Sequence, residues 1–487
     1  MKRTLLGCAL LAALPASAPA AGRHDWTRFG FDAARSGSST APAGIAASDL
    51  PRLRRRVVRV PGIVDSSPIY LHAVRVRHRR RDVFVATTNY GRTFALDARR
   101  GRRLWTYSPP GVAGLEGTPQ ITTGSPVADP GRRYVYAPSP DGHIRKLALK
   151  NGHEVRSRQW PAVVTRDPTH EKLGTPLNVS GRYVIETTGG YFGDVPPYQG
   201  HVALVSRRTG AVAHVFNSLC SDRLELIDPA SCPSSGSAIW ARAGAVVVPR
   251  DRRILVATGN APFNGRTDWG DSVLELSSDA TRLLGNWTPI NQQELASSDG
   301  DLGSTAPALL PFGKRWLGLQ GGKDGLLRLL DLANLNGRGR PCDCLGGELQ
   351  TLPSPRGSGV LTAPAVWRHG GRTWVFVAVG GVFASDESAT AAYQLSGSPP
   401  PLLHRVWMTD RAGTSPVVAG GLLYVYDPGG GLAVYEPTKG RRLAVLPIGP
   451  GHWNTPVVAD GRIALGEGAA NDDATSGKIT IWHLPGR

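Results

Sequence analysis

One short phrase recurs eight times along the 487-residue chain, and its spacing constrains the fold more than any other feature. The copies are Asp65-Ser66-Ser67-Pro68, Glu116-Gly117-Thr118-Pro119, Leu173-Gly174-Thr175-Pro176, Gly236-Ser237-Ala238-Ile239, Ser304-Thr305-Ala306-Pro307, Leu361-Thr362-Ala363-Pro364, Gly413-Thr414-Ser415-Pro416 and Trp453-Asn454-Thr455-Pro456. The fourth copy is degenerate and is placed mainly by its spacing. Successive steps, taken at the Pro position, are 51, 57, 63, 68, 57, 52 and 40 residues. Between copies, β-branched and aromatic residues alternate in short runs, with Gly and Asp at the breaks, which is strand and turn chemistry. A repeat of this length made of short strands means a propeller or a solenoid. Eight copies favour a closed ring. The expected fold is all-β: a single eight-bladed propeller with four-stranded blades.

The second half of each unit has its own pattern. Its clearest copy runs Val83-Phe84-Val85-Ala86, a turn, Thr93-Phe94-Ala95-Leu96-Asp97, Gly101, then Leu104-Trp105-Thr106-Tyr107. A Trp near the end of a unit offers a large flat surface to pack between neighbouring twisted sheets. Leu53 to Val60 precedes the first phrase with nothing before it to pair with, and the last unit is the shortest. That segment is expected to complete the last blade as its outer strand, closing the ring and removing its edges.

Lys2 and Arg3, an apolar run from Leu5 to Leu14 and the small-residue site Ala18-Pro19-Ala20 predict a secretory signal over residues 1–20. No later stretch approaches the roughly 18 apolar residues of a membrane helix. Residues 21–487 are then the exported propeller, periplasmic or secreted, with no transmembrane segment. Outside the signal, Cys220, Cys232, Cys342 and Cys344 suggest disulfides with three possible pairings. Cys220 with Cys232 would close a small loop, while Cys342-Asp343-Cys344 is too close for an unstrained bridge. The net charge is +18, from 56 basic and 38 acidic residues. Arg52 to Arg56 and Arg75 to Arg81 are the densest basic clusters, suited to an acidic protein or an anionic envelope surface. No basic-aromatic interleaving points to nucleic acid.

Phe94-Ala95-Leu96-Asp97-Ala98 through Gly101 to Trp105 resembles the repeat of pyrroloquinoline quinone (PQQ) propeller proteins, and Asp25-Trp26-Thr27-Arg28-Phe29-Gly30 resembles their N-terminal segment. A sharper likeness is to the PQQ alcohol dehydrogenases. Ala257-Thr258-Gly259-Asn260-Ala261-Pro262, then Gly270-Asp271-Ser272, resembles their segment with a calcium-ligating Asn, which would be Asn260. Ser298-Asp299-Gly300-Asp301 falls where the family places its catalytic Asp, which implies Asp301 first, also as a metal ligand, and Asp299 second. Lys323-Asp324-Gly325 resembles the segment whose basic residue touches the quinone. Trp240 and Arg242 fall at the cofactor wall, with Arg242 where the family stacks a Trp. The resemblance implies PQQ and calcium as cofactors, a small alcohol or sugar as substrate, and a separate electron acceptor, since no Cys-x-x-Cys-His haem site occurs.

The chain also departs from that family. Its acidic calcium ligand should fall between Glu186 and Asp194, where the register offers Phe192, and Asp194 could serve only after a loop shift. The vicinal Cys pair beside the quinone is absent. Asn260, Asp271, Asp299 and Asp301 also suit plain turns. His170-Glu171, His452-Trp453 and Asp386-Glu387 read as ordinary loop residues. Two functional classes therefore stand: a PQQ- and calcium-dependent dehydrogenase, or a non-catalytic propeller that binds a protein or envelope partner.

Overall fold

A computed structural model describes residues 24–381 and 387–486. The expected signal and Asp386 lie outside the described residues. The chain forms eight four-stranded antiparallel sheets, one per blade, so the eight-bladed propeller expected from the repeat is the observed fold. Blade 1 is typical, with strands Ile69–Val76, Arg79–Thr87, Thr93–Asp97 and Arg103–Tyr107 in sequential order. The last blade takes its outer strand from the other end of the chain. Arg54–Val60 pairs with Gly477–His483, in a register running from Arg54 opposite His483 to Val60 opposite Gly477.

The repeat phrases mostly stand at the head of the innermost strand. Pro68, Pro307, Pro364, Pro416 and Pro456 immediately precede such strands, where a missing N–H costs no ladder bond. Two copies are out of phase. The second blade is headed by Gly124-Ser125-Pro126, just before Val127–Ala128, rather than by the phrase ending at Pro119. The fourth starts at Val246–Val247, so Gly236 to Ile239 belongs to the connection ahead of it.

The Trp and Gly of the repeat meet between blades. Trp105 donates Nε1–H to the Leu149 carbonyl of the next blade at 2.9 Å, and a Cβ on Gly152 would stand 2.6 Å from the Trp105 ring. Gly210 against Trp160 and Gly440 against Trp407 repeat the arrangement, with φ of +89° and +67°. These glycines turn the chain and let the backbone lie on the neighbouring indole. Gly101 has no such Trp and packs instead on Arg56 and Val58, the outer strand of the last blade.

The segment before that strand braces the ring. Trp26 pairs with Tyr70 of blade 1, Ala33 O accepts Val247 N of blade 4, and Gly37 O accepts Val418 N of blade 7. The buried Arg35 guanidinium donates to the carbonyls of Phe29, Pro176 and Leu177. Arg54 to Arg56 lie on the outer strand, and the Arg75 to Arg81 cluster forms a hairpin whose Arg75, Arg77, Arg79 and Arg80 are exposed.

Cys220 is bonded to Cys232, with Cα atoms 6.2 Å apart. Cys342 is bonded to Cys344, where the bend at Asp343 holds the two Cα atoms 5.3 Å apart, within disulfide reach. Among the described residues, no helix is long and apolar enough to cross a membrane.

Candidate functional site

A cavity of about 720 Å³ opens where the blade connections converge. Asn260, Asp299, Asp301, Lys323, Trp240 and Arg242, drawn from four separate stretches of sequence, all line it. The residues singled out by the resemblance are therefore brought together.

Local backbone chemistry explains their placement. The short helix Gln292–Ser297 ends where Gly300 donates its N–H to the Leu295 carbonyl, and the turn that follows presents Asp301. Asp301 Oδ1 accepts the Asn260 N–H at 2.9 Å. A Cβ on Gly259 would lie 2.2 Å from that oxygen, so only glycine leaves room for the carboxylate. Lys323 comes from the turn between Arg315–Gln320 and Leu326–Asp331, and its own N–H donates to the Asp301 carbonyl at 3.1 Å. Its ammonium reaches Asp301 Oδ2 at 2.7 Å and Asp299 Oδ1 at 2.8 Å, and stands 5.5 Å from the Trp240 ring centre. Asp299 Oδ1 also accepts the Asn260 side-chain amide at 3.1 Å. The Asn260 amide oxygen is buried and accepts no hydrogen bond.

Burial raises the Asp301 carboxyl above its ordinary range, although Lys323 opposes the shift. Burial alone would lower the Lys323 ammonium, but Asp301 and Asp299 outweigh it and hold the group above its ordinary value. Asp194 also lines the cavity, and burial together with the Asp301 charge raises its carboxyl. Asp194 adopts φ +50°, and both it and Phe192 border the cavity, Phe192 at its open side, 84% exposed. Asp271 stands behind the site and accepts the Leu302 N–H at 3.1 Å. Burial pushes its carboxyl up to about 8.

Arg242 forms part of the wall without filling the cavity. It is 2% exposed, and its guanidinium carbon lies 5.7 Å from the Trp453 ring centre and 6.0 Å from that of Phe29. One nitrogen contacts the carbonyls of Thr123 and Gly174, while buried Nε and Nη2 have no partner. Lys172, which sequence reasoning missed, lines the same wall, and burial lowers its ammonium to about 8. His452 was read as a loop residue but also lines the cavity, with Nδ1 2.7 Å from the buried Asp65 carboxylate. No spacing in the sequence links Asp65, Lys172 and His452; only ring closure brings the first and last of them together.

Glu186 is not at the cavity. It is buried, with Oε1 accepting Thr175 Oγ1 at 2.9 Å and the Thr187 N–H at 3.1 Å, and Oε2 unpartnered. Burial pushes its carboxyl from an ordinary 4.5 up to about 8. Between those values the folded state holds a proton that the unfolded chain has released, so stability falls as pH rises through this window. Glu186→Gln should reduce that fall in denaturant titrations repeated across pH. Asp271, shifted the same way, keeps part of the slope.

The PQQ-repeat family model described as outer membrane protein assembly factor BamB matches residues 64–218. Quinohemoprotein alcohol dehydrogenase from Comamonas testosteroni aligns over 96% of this chain and 82% of its own, at TM-score 0.65 and 16% identity. The chain resembles the PQQ-repeat propellers. A europium-containing methanol dehydrogenase aligns over 95% of this PQQ-repeat-like chain and 98% of its own, at TM-score 0.68 and 13% identity. BamB from Moraxella catarrhalis aligns over 89% and 98%, at TM-score 0.52 and 13% identity. At such identities the likeness is one of fold, shared by dehydrogenases and an assembly factor alike. No curated protein matches the chain.

Proposed function

We propose that this PQQ-repeat-like propeller is an exported, periplasmic or secreted, PQQ- and calcium-dependent dehydrogenase of small alcohols or sugars that passes electrons to a separate acceptor. The observation that carries the reading is the buried Asn260 amide oxygen, which lacks a donor and stands among acidic groups at a cavity wall. Asn260, Asp301 and Asp194 make an all-oxygen donor set, which suits a hard cation. The partnerless nitrogens of Arg242 and the Lys172 ammonium suit the carboxylates of an anionic quinone.

PQQ, when bound, supplies the two-electron acceptor, and calcium the positive charge beside it. The remaining work falls to the chain. Asp301, raised by burial, is matched to taking the substrate hydroxyl proton at Oδ2. Lys323 can turn from Asp301 toward developing negative charge while Asp299 keeps it ionised and in place. Trp240 and Trp453 give the cavity apolar walls that exclude water.

The second reading, a non-catalytic propeller, is supported by one feature: Arg242 stands in the sequence where the resemblance implies a stacking indole, and it is buried in the cavity wall. The exposed arginines of the Arg75 to Arg81 hairpin would then dock an acidic protein or an anionic envelope surface. Thermal melts of the mature protein with calcium, PQQ and both separate the readings. A ligand that binds only the folded form adds about 2.7 kcal/mol at a hundredfold excess over its dissociation constant. The dehydrogenase reading expects a rise that needs both ligands and that Asn260→Ala removes. No rise at high concentrations of both would sink it and leave the docking propeller.

A further inference from the structure

A second cluster lies at the seam where the ring closes, among residues that the proposed dehydrogenase does not use. His24 Nδ1 stands 2.5 Å from Asp460 Oδ1, and His72 Nδ1 stands 2.9 Å from Asp460 Oδ2. The two imidazoles stack at 4.7 Å between ring centres. One potential ligand atom from each residue falls within 4.8 Å of the others, and Asp82 Oδ1 lies 3.2 Å from His72 Nδ1. We propose that His24, His72 and Asp460 bind a divalent transition-metal ion of the zinc class, with Asp82 or solvent as the fourth ligand.

The donor chemistry supports this. Imidazole and carboxylate suit zinc and its neighbours, whereas calcium takes oxygen alone. Both rings direct Nδ1 at one carboxylate, and their side chains are 39% and 42% exposed, which leaves an approach from solvent.

The backbone is also shaped for the cluster. A bulge interrupts the blade 1 pairing between Leu71 and Val74, and Ala73 sits there at φ +47°. Bulges re-aim side chains, and this one carries His72. Ala73 N–H donates to Asp82 Oδ1 at 3.0 Å, which holds the bulge and the fourth candidate ligand together. Asp460 occupies a tight turn at φ +48°. A non-glycine residue in this region costs on the order of 1–3 kcal/mol, and at Ala73 that backbone turns His72 toward Asp460. A second layer orients the ligands: the Tyr70 hydroxyl donates to Asp460 Oδ2 at 2.8 Å, and Arg462 donates to the Asp460 carbonyl at 3.0 Å. An ion here would join the N-terminal segment to the first and last blades.

The test uses the mature protein, free of any histidine tag and stripped by a chelator. Zinc titration by calorimetry should give one equivalent bound, and cobalt should give the visible absorption of a histidine-ligated site. Zinc at a hundredfold excess over its dissociation constant should raise the melting temperature by about 3 °C for a chain of this size. His24→Ala/His72→Ala should weaken zinc binding at least tenfold and remove the rise. His24→Gln, a milder change at a side chain that is 39% exposed, should weaken binding in a protein whose melt without metal is unchanged. No stoichiometric zinc binding by the parent protein, or equal binding by the double variant, would overturn the proposal. The calcium site proposed near Asn260 shares no residue with this cluster, so the two proposals fail or stand separately.

Discussion

Deleting residues 24–60 should leave the chain unfolded or lower its melting temperature by more than about 10 °C. The segment buries Trp26, Phe29, Leu50 and Val60. At about 1.5–3 kcal/mol for each large apolar side chain, their loss approaches the whole 5–15 kcal/mol by which a typical protein is stable. Three further costs act together. The Phe29 site opens beside Arg242, the carbonyls of Pro176 and Leu177 lose the Arg35 guanidinium, and the last blade exposes the Gly477–His483 edge. Calorimetry should show either no transition or one lowered by more than about 10 °C, and size-exclusion chromatography should show aggregation through the open edge. A deletion that melts like the parent would mean that the ring closes without its N-terminal strand.

Asp301→Asn should abolish most turnover if the dehydrogenase reading holds. A positioned general base contributes about 10²–10⁴-fold, and asparagine keeps the acceptor for the Asn260 N–H while removing the basic oxygen. Lys323 retains its contact with Asp299, so the cavity wall should persist. The measurement is kcat with PQQ, calcium and an artificial electron acceptor across a panel of alcohols and sugars, beside a melt showing that the variant still responds to the cofactors. Loss of kcat with the melt response intact assigns the base to Asp301. Unchanged kcat would move the assignment to Asp299, the second acidic group within reach of Lys323.

The ring was legible because its information is periodic. The same Trp and Gly contact recurs at Trp105, Trp160 and Trp407, and the unpaired strand before the first phrase could only complete the shortest unit. The two phrases that slipped, ending at Pro119 and Ile239, show the limit of such reading. They lie in connections ahead of the sheet rather than at its inner strand, and Ala238 of the second lines the cavity. At the cavity, Asn260, Asp301 and Lys323 were legible through their order and their small local motifs. Asp194 was legible only as a substitute that needed a loop shift, because the sequence pattern does not specify its left-handed backbone, φ +50°. Lys172 and His452 were hidden for another reason: they reach the cavity from blade connections far apart in the sequence. The cluster of His24, His72 and Asp460 is the extreme case, since its members meet only when the chain ends meet.

The seam also sets an order of events. The strand Arg54–Val60 is made early, yet its partner, Gly477–His483, emerges roughly 400 residues later. At about 5–20 residues per second this is a wait of tens of seconds with a β-prone segment unpaired. Its sequence, Arg-Arg-Arg-Val-Val-Arg-Val, carries four positive charges among its seven residues. Such charges keep like strands apart and discourage premature pairing between chains. The arginines that look like surplus basicity in the finished ring thus act as gatekeepers, keeping the latch strand soluble until its partner arrives.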